Sequence, residues 1–167
     1  MTSKLSHLRT KLAKAIDGMT TEDLAWHPEG KWNSADILDH LNLTYRGTIQ
    51  NCERCLAAGK SGASLDRKTK RWQRRAITWL GYFPSGRKSP ERVLPQGTPI
   101  AQLTTEIFEN ITRMEEVIAA CDHQFGRGKS IAEHPILGPL TACEWQEFHW
   151  VHGRHHAHQI IKLKNAR

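Results

Sequence analysis

Four long stretches of this sequence carry apolar residues at helical spacing, and no stretch alternates convincingly between apolar and polar residues. Apolar residues that recur every three or four positions lie on one face of a helix, which is then buried against other helices. The pattern predicts an all-α fold, a four-helix bundle with long connections, and the length of 167 residues indicates a single domain. The four predicted helices are residues 3–18, 33–59, 98–121 and 141–164.

Local signals mark where these helices begin. Asn33 or the serine after it can cap the free amides of the second helix. Thr98 is predicted to cap the third helix, followed by a proline at the first helical position, where a missing N–H costs nothing. The fourth helix has the clearest start, since Thr141 and Glu144 have the spacing of a capping box.

Two connections lack a sustained pattern: residues 60–97, which end in a stretch rich in Pro, Gly and charge, and residues 122–139, which contain several Gly and Pro. Within the first, a further helix is predicted through residues 71–83. Sites in helix bundles lie between facing helices. A substrate is therefore expected to enter from one end, past the loops around residues 84–97 and 126–140.

The net charge of +7 is concentrated in a basic segment, residues 66–75, where Trp72 interrupts the run. Clustered Lys and Arg can bind a phosphate backbone, although such runs more often form a solvated helix face or loop. No recognised nucleic-acid-reading module accompanies the segment. We therefore do not predict a nucleic-acid partner, and DNA binding with a steep salt dependence is kept as an alternative.

The N-terminus lacks the apolar run of a signal peptide, and no stretch approaches the roughly 18 apolar residues of a membrane span. The protein is therefore predicted to be cytoplasmic, with no membrane partner. Its four cysteines are expected to be free thiols. Cys52 and Cys55 have the spacing of a zinc knuckle or redox pair, but the pair stands alone within a helix, so neither role is predicted.

Histidines cluster near the end of the chain, where five of the ten lie between residues 149 and 158. Helical spacing separates them. His149, His152 and His156 continue an inward stripe that starts at a tryptophan, whereas His155 lies at its edge and His158 points away. Three of the five histidines are therefore predicted to face the bundle interior.

His152 and His156 lie four residues apart, which brings both rings to one helix face, as in zinc-binding His-x-x-x-His pairs. His40 occupies the inward face of the second helix, so three imidazoles can meet in the core. Three protein ligands with a position left open are typical of a catalytic metal site. The alternative is that these are buried histidines satisfied by hydrogen bonds alone.

Three segments resemble the DinB/YfiT-like superfamily: WNSADILDHLNLTY (residues 32–45), VLPQGTP (93–99), and HPILGPLTACEWQEFHWVHGRHHAHQI (134–160). The resemblance implies a four-helix bundle in which His40, His152 and His156 bind a divalent metal, with Zn²⁺ expected first and Ni²⁺ second. It also implies a homodimer. Relatives include thiol S-transferases that use low-molecular-weight thiols, a maleylpyruvate isomerase and metal-dependent hydrolases.

The leading hypothesis is therefore a metal-dependent thiol S-transferase or hydrolase that acts on a small molecule, in which the metal activates water or a thiol as a Lewis acid. The alternative is a metal- or small-molecule-binding module without turnover. His149 can serve as a fourth ligand, a hydrogen-bonding support or a substrate contact. Asp36 and Gln159 can orient ligands or hold a water, or serve only as a helix cap and a packing residue. Trp32 and Trp145 are candidates to line a pocket.

Overall fold

The computed structural model describes residues 3–62 and 90–167. Within them four long helices form a bundle, joined by a short helix, a 3₁₀ turn and one small antiparallel hairpin, so the predicted all-α class is confirmed. The helices are α1 (Lys4–Ile16), α2 (Thr21–Ala25), α3 (Ser34–Ala57), α4 (Ile100–Phe125) and α5 (Ala142–Ala166). The 3₁₀ turn is Glu91–Val93, and the strands are β1 (Ser130–His134) and β2 (Gly138–Thr141).

Several sequence predictions fall outside the described residues. They are the basic segment at 66–75, which includes Trp72, and the helix predicted through 71–83. In the described parts of the chain, no helix is long and apolar enough to cross a membrane.

The predicted capping signals hold for two of the four bundle helices. The Asn33 side chain accepts from the Asp36 amide, and the Asp36 carboxylate accepts from the Asn33 amide, which completes a capping box at α3. Thr141 and Glu144 form the same reciprocal pair at α5. Each box satisfies amides that the helix itself cannot pair, and so fixes where these two helices start.

The prediction for the start of α4 was wrong. Pro99 is the N-cap residue and makes no side-chain cap, while the Thr98 hydroxyl donates to Asp39 on α3, with 3.1 Å between Oγ1 and Oδ1. A partner distant in sequence therefore takes the hydroxyl that local rules assign to the cap. The helix also continues to Phe125, past the predicted end near Cys121, and stops at Gly126, where φ is +96°.

The β1–β2 hairpin was missed because its pattern does not alternate. The strands pair antiparallel, and the register shifts between Ser130 and Ala132. Such a bulge places two successive residues on the same side, and Ile131 and Ala132 are both fully buried. Every residue of β2 is buried as well, so neither strand shows the apolar–polar alternation of a half-exposed sheet.

The helices pack mainly as two pairs, α3 on α4 and α1 on α5. The α1–α5 pair is closely packed at Gly153, where an added Cβ would overlap Leu8 Cδ1 and lie 3.0 Å from the Tyr45 hydroxyl. Contact between α3 and α5 is sparser. That side of the bundle holds a cleft instead of a continuous apolar seam.

The four cysteines are free thiols, as predicted. Cys52, Cys55 and Cys121 are buried in the core, and only Cys143 is exposed. Burial raises the pKa of the Cys52 and Cys121 thiols, so both stay protonated near neutral pH. Buried thiols that stay protonated are typical of cysteines that pack in a core.

Candidate metal centre

Three histidines bring their Nε2 atoms together between α3 and α5. His152 Nε2 lies 3.2 Å from His40 Nε2 and 3.1 Å from His156 Nε2. His40 comes from the second turn of α3, and the other two lie one turn apart on α5. Potential ligand atoms of all three fall within 4.8 Å of one another, so the histidines form a cluster able to hold a metal ion.

Hydrogen bonds at the outer ring nitrogens fix two of the three imidazoles. His40 Nδ1 lies 2.7 Å from the Val93 carbonyl oxygen, which can only accept, so Nδ1 carries the proton. His156 Nδ1 likewise donates to Gln159 Oε1 at 2.7 Å. In a neutral ring Nε2 is then unprotonated and carries a lone pair. Both lone pairs are directed toward the common centre.

Burial keeps the three rings neutral. It lowers the pKa of His40 and takes that of His156 to about 3, while the pKa of His152 falls well below its ordinary value. Desolvation is the largest cause in each case, because a charged imidazolium loses water contacts inside the bundle. For His152 the neighbouring histidines add repulsion between like charges.

Protons alone do not satisfy this arrangement. The Nε2 atoms of His40 and His156 both carry lone pairs, and His152 Nε2 has at most one proton to offer them. One pair of nitrogens about 3 Å apart therefore faces lone pair to lone pair. A cation removes this conflict, and nitrogens that share a tetrahedral zinc ion at 2.0–2.1 Å stand about 3.3 Å apart. The donor set and spacing thus fit a divalent metal.

Aromatic rings wall the centre. Trp32 packs at 5.3 Å from the His40 ring, and Phe148 stacks on His152 with 5.4 Å between centroids and an interplanar angle of 14°. These apolar walls shield the rings from water on two sides and hold their planes. The cleft beyond them is lined by both predicted pocket tryptophans, Trp32 and Trp145.

The segment containing the 3₁₀ turn and the turn of the hairpin both line this cleft. Contributions come from residues 90–94 and 96 on one side and from 133–137 on the other. These residues belong to the two loops past which a substrate was expected to approach. Residues 84–89 of the first loop lie outside the described residues.

His149 occupies a separate position, one turn before His152. It is fully buried, its Nε2 lies 3.0 Å from the Thr48 hydroxyl, and its ring stacks on Trp145. It does not belong to the group of converging ligand atoms. His149 is therefore hydrogen-bonded to α3 next to the histidine cluster.

The structure divides the other predicted residues. Gln159 touches the centre through His156, whereas the Asp36 carboxylate is engaged in the helix cap described above. His155 is half-buried at the edge of the stripe and His158 is exposed, as their helical positions predicted. Of the two residues proposed to orient ligands, the structure joins only Gln159 to one of the three clustered rings.

Sequence reasoning missed Val93 and Asp39. Val93 acts through its carbonyl oxygen, which no side-chain pattern reveals. Asp39 is 2% exposed and stands directly before His40 in the apolar context ILDHL. A buried carboxylate needs hydrogen-bond donors as partners, so an aspartate at an inward helix position indicates such a contact.

Comparison with known proteins identifies one family. The model of the DinB superfamily matches residues 4–160, nearly the whole chain. Comparisons with curated proteins and with solved structures found no match.

Proposed function

This chain belongs to the DinB superfamily, and on that premise we propose that it is a divalent-metal-dependent enzyme, a thiol S-transferase or hydrolase of small molecules. His40, His152 and His156 are its proposed metal ligands. The convergence of their Nε2 atoms, with two Nδ1 protons held outward by acceptors, carries the proposal. Three ligands leave a coordination position for water or substrate, as in catalytic zinc sites.

A divalent ion held by these residues would supply Lewis-acid activation of a water or of a substrate thiol. The chain supplies orientation and exclusion of water. Val93 and Gln159 hold the His40 and His156 rings, and Trp32 and Phe148 shield the centre on its apolar sides. The open cleft between α3 and α5 admits the second reactant to the same point.

We expect Zn²⁺ as the bound metal and Ni²⁺ as the next candidate, since neutral imidazoles suit both ions. Family resemblance further leads us to expect a cytoplasmic homodimer. Sedimentation equilibrium of the purified protein tests the homodimer directly: a mass of twice 19.0 kDa supports the dimer, and a mass of 19.0 kDa contradicts it.

Metal analysis of protein purified without a histidine tag tests the centre. We expect near-stoichiometric divalent metal in the wild type and its loss in His152→Ala. His158→Ala is the matched control, because it removes an exposed histidine of the same helix. A wild type without metal, or a His152→Ala variant that keeps it, would overturn the proposed metal centre.

A panel of thiol-conjugation and ester- or amide-hydrolysis assays then tests for turnover. The metal-loaded wild type should be active, and activity should fall to background in His152→Ala. A ligand that raises the melting temperature without being consumed would favour the alternative, a metal- or small-molecule-binding module.

A further inference from the structure

Asp39 is a buried carboxylate directly beside a proposed metal ligand, yet it points to a different partner. Its Oδ2 accepts from the Gln96 amide at 2.7 Å and from the Thr98 amide at 3.3 Å. Its Oδ1 accepts from the Thr98 hydroxyl at 3.1 Å. Three donors on a carboxylate that is 2% exposed form a strong, well-defined anchor.

All of these donors belong to residues 90–98, which we call the strap. The strap runs past the metal centre and leads into α4. Among the described residues its own backbone bonds are few: the Val93 amide donates to Pro90 and the Leu94 amide to Glu91, each at 3.0 Å. These two bonds form the turn that presents the Val93 carbonyl. The strap therefore depends on Asp39 to hold it against α3.

The strap also contacts the next residue of α3, His40. The Val93 carbonyl accepts from His40 Nδ1, while Asp39 binds the strap three and five residues later. Two adjacent side chains of α3 thus grip one segment at two points. Movement of either contact shifts the other, because only two residues separate Val93 from Gln96.

We propose that Asp39 is a positioning residue, which holds the strap so that the Val93 carbonyl keeps the His40 ring with its proton on Nδ1 and its Nε2 directed to the centre. The consequence for metal binding rests on the proposed function above. The effect on the His40 ring itself does not, because the hydrogen bonds that link Asp39, the strap and His40 join protein atoms only.

The neighbouring ligand explains why the effect should be confined to His40. His156 donates to Gln159, which lies three residues away on the same helix and is held by that helix. Loss of the strap anchor leaves this pair intact. A change limited to His40 therefore separates positioning from a general loosening of the bundle.

The experiment uses Asp39→Asn in the metal-free full chain, with imidazole nitrogen shifts measured by NMR. The amide keeps one acceptor but turns a donor toward the strap amides. We expect His40 to become a mixture of its two tautomers while His156 stays protonated at Nδ1. Zn²⁺ affinity, measured by competition with a chromophoric chelator, should fall about tenfold or more, as for other groups that orient ligands.

Three further variants make the test specific. Asp36→Asn removes a carboxylate from the cap of the same helix and should leave both the His40 tautomer and Zn²⁺ affinity unchanged. Thr98→Val keeps the Asp39 charge but deletes one anchoring bond, and should shift the His40 tautomer in the same direction by less. Thr98→Ser restores the hydroxyl and should behave as wild type. The Thr98 pair also serves if Asp39→Asn does not fold.

An unchanged His40 tautomer in folded Asp39→Asn, or in Thr98→Val if Asp39→Asn does not fold, would overturn the inference. So would an equal loss of Zn²⁺ affinity in Asp36→Asn. A wild type that binds no metal, yet shows the His40 shift on Asp39→Asn, would refute the proposed function and leave Asp39 as the residue that positions the ring.

Discussion

Helix α5 has two sides that differ in chemistry, and adjacent residues mark the boundary between them. Toward α1, Gly153 allows so close an approach that a single added carbon would overlap Leu8. Toward α3, His152 meets the other imidazoles, and contact between the helices is sparse. One side is a buried, close-packed apolar seam, and the other is a polar centre beside a cleft.

The difference shows how a bundle can carry buried polar groups. Desolvated imidazoles contribute little to stability and are costly when left without partners. The apolar seam supplies the stability instead and fixes the position of α5. We therefore expect changes in the seam to alter unfolding, and changes at the centre to alter metal binding.

The largest expected effect is that of Leu8→Ala. Leu8 is fully buried at the seam, so truncation should lower the free energy of unfolding by about 2–5 kcal/mol through lost contacts and the cavity left behind. Urea denaturation followed by circular dichroism measures it. The control is Leu94→Ala at the cleft, 38% exposed, which should change stability by less than about 0.5 kcal/mol.

Gly153→Ala should cost about 1–3 kcal/mol, although alanine favours a helix by about 1 kcal/mol over glycine. The new methyl group has no room against Leu8. In the double variant with Leu8→Ala, the smaller side chain leaves room for the new methyl group. The double variant should therefore lose less stability than the sum of the losses in the two single variants. Strictly additive losses would show that the seam is looser than described.

Acid should destabilise the metal-free protein by protonating a buried histidine, His149, on the side of α5 that faces α3. Burial, with a smaller contribution from His134, lowers the pKa of His149 to about 3, whereas the unfolded residue titrates near 6.5. Between these values the unfolded state binds more protons, so stability falls as pH is lowered from 6.5 toward 3. His149→Leu should reduce the slope by up to about 1.4 kcal/mol per pH unit. Urea midpoints at several pH values test this, and an unchanged slope would contradict it.

His152→Leu should affect stability less than the changes at Leu8, Gly153 and His149. Replacing a buried polar ring by an apolar side chain should change the unfolding free energy of the metal-free protein by less than about 1 kcal/mol. The same variant should lose its metal. A loss of several kcal/mol would mean that the centre also holds the bundle together, and the contrast between the two sides would fail.

Much of the fold was predictable because its signals are local. The capping boxes at Asn33 and Thr141 need only residues three positions apart, and the inward stripe of α5 follows from helical spacing. The same spacing separated buried His152 and His156 from exposed His158.

The failures depend on features that local sequence rules do not show. Thr98 did not cap α4 because Asp39, far away in the chain, binds its hydroxyl. The hairpin escaped notice because its bulge buries Ile131 and Ala132 in succession. A glycine inside an amphipathic helix does signal a close approach, but Gly153 alone does not say that Leu8 is the neighbour.

The two outer hydrogen bonds at the centre differ in how they respond to mutation. Every amino acid carries a main-chain carbonyl, so a substitution at Val93 that preserves the course of the strap leaves the acceptor of His40 in place. Gln159 can be lost by a single codon change. An engineer who wishes to retune the centre can therefore remove the partner of His156 directly, by a substitution at Gln159, but can reach the partner of His40 only indirectly, by a substitution such as Asp39→Asn that moves the strap.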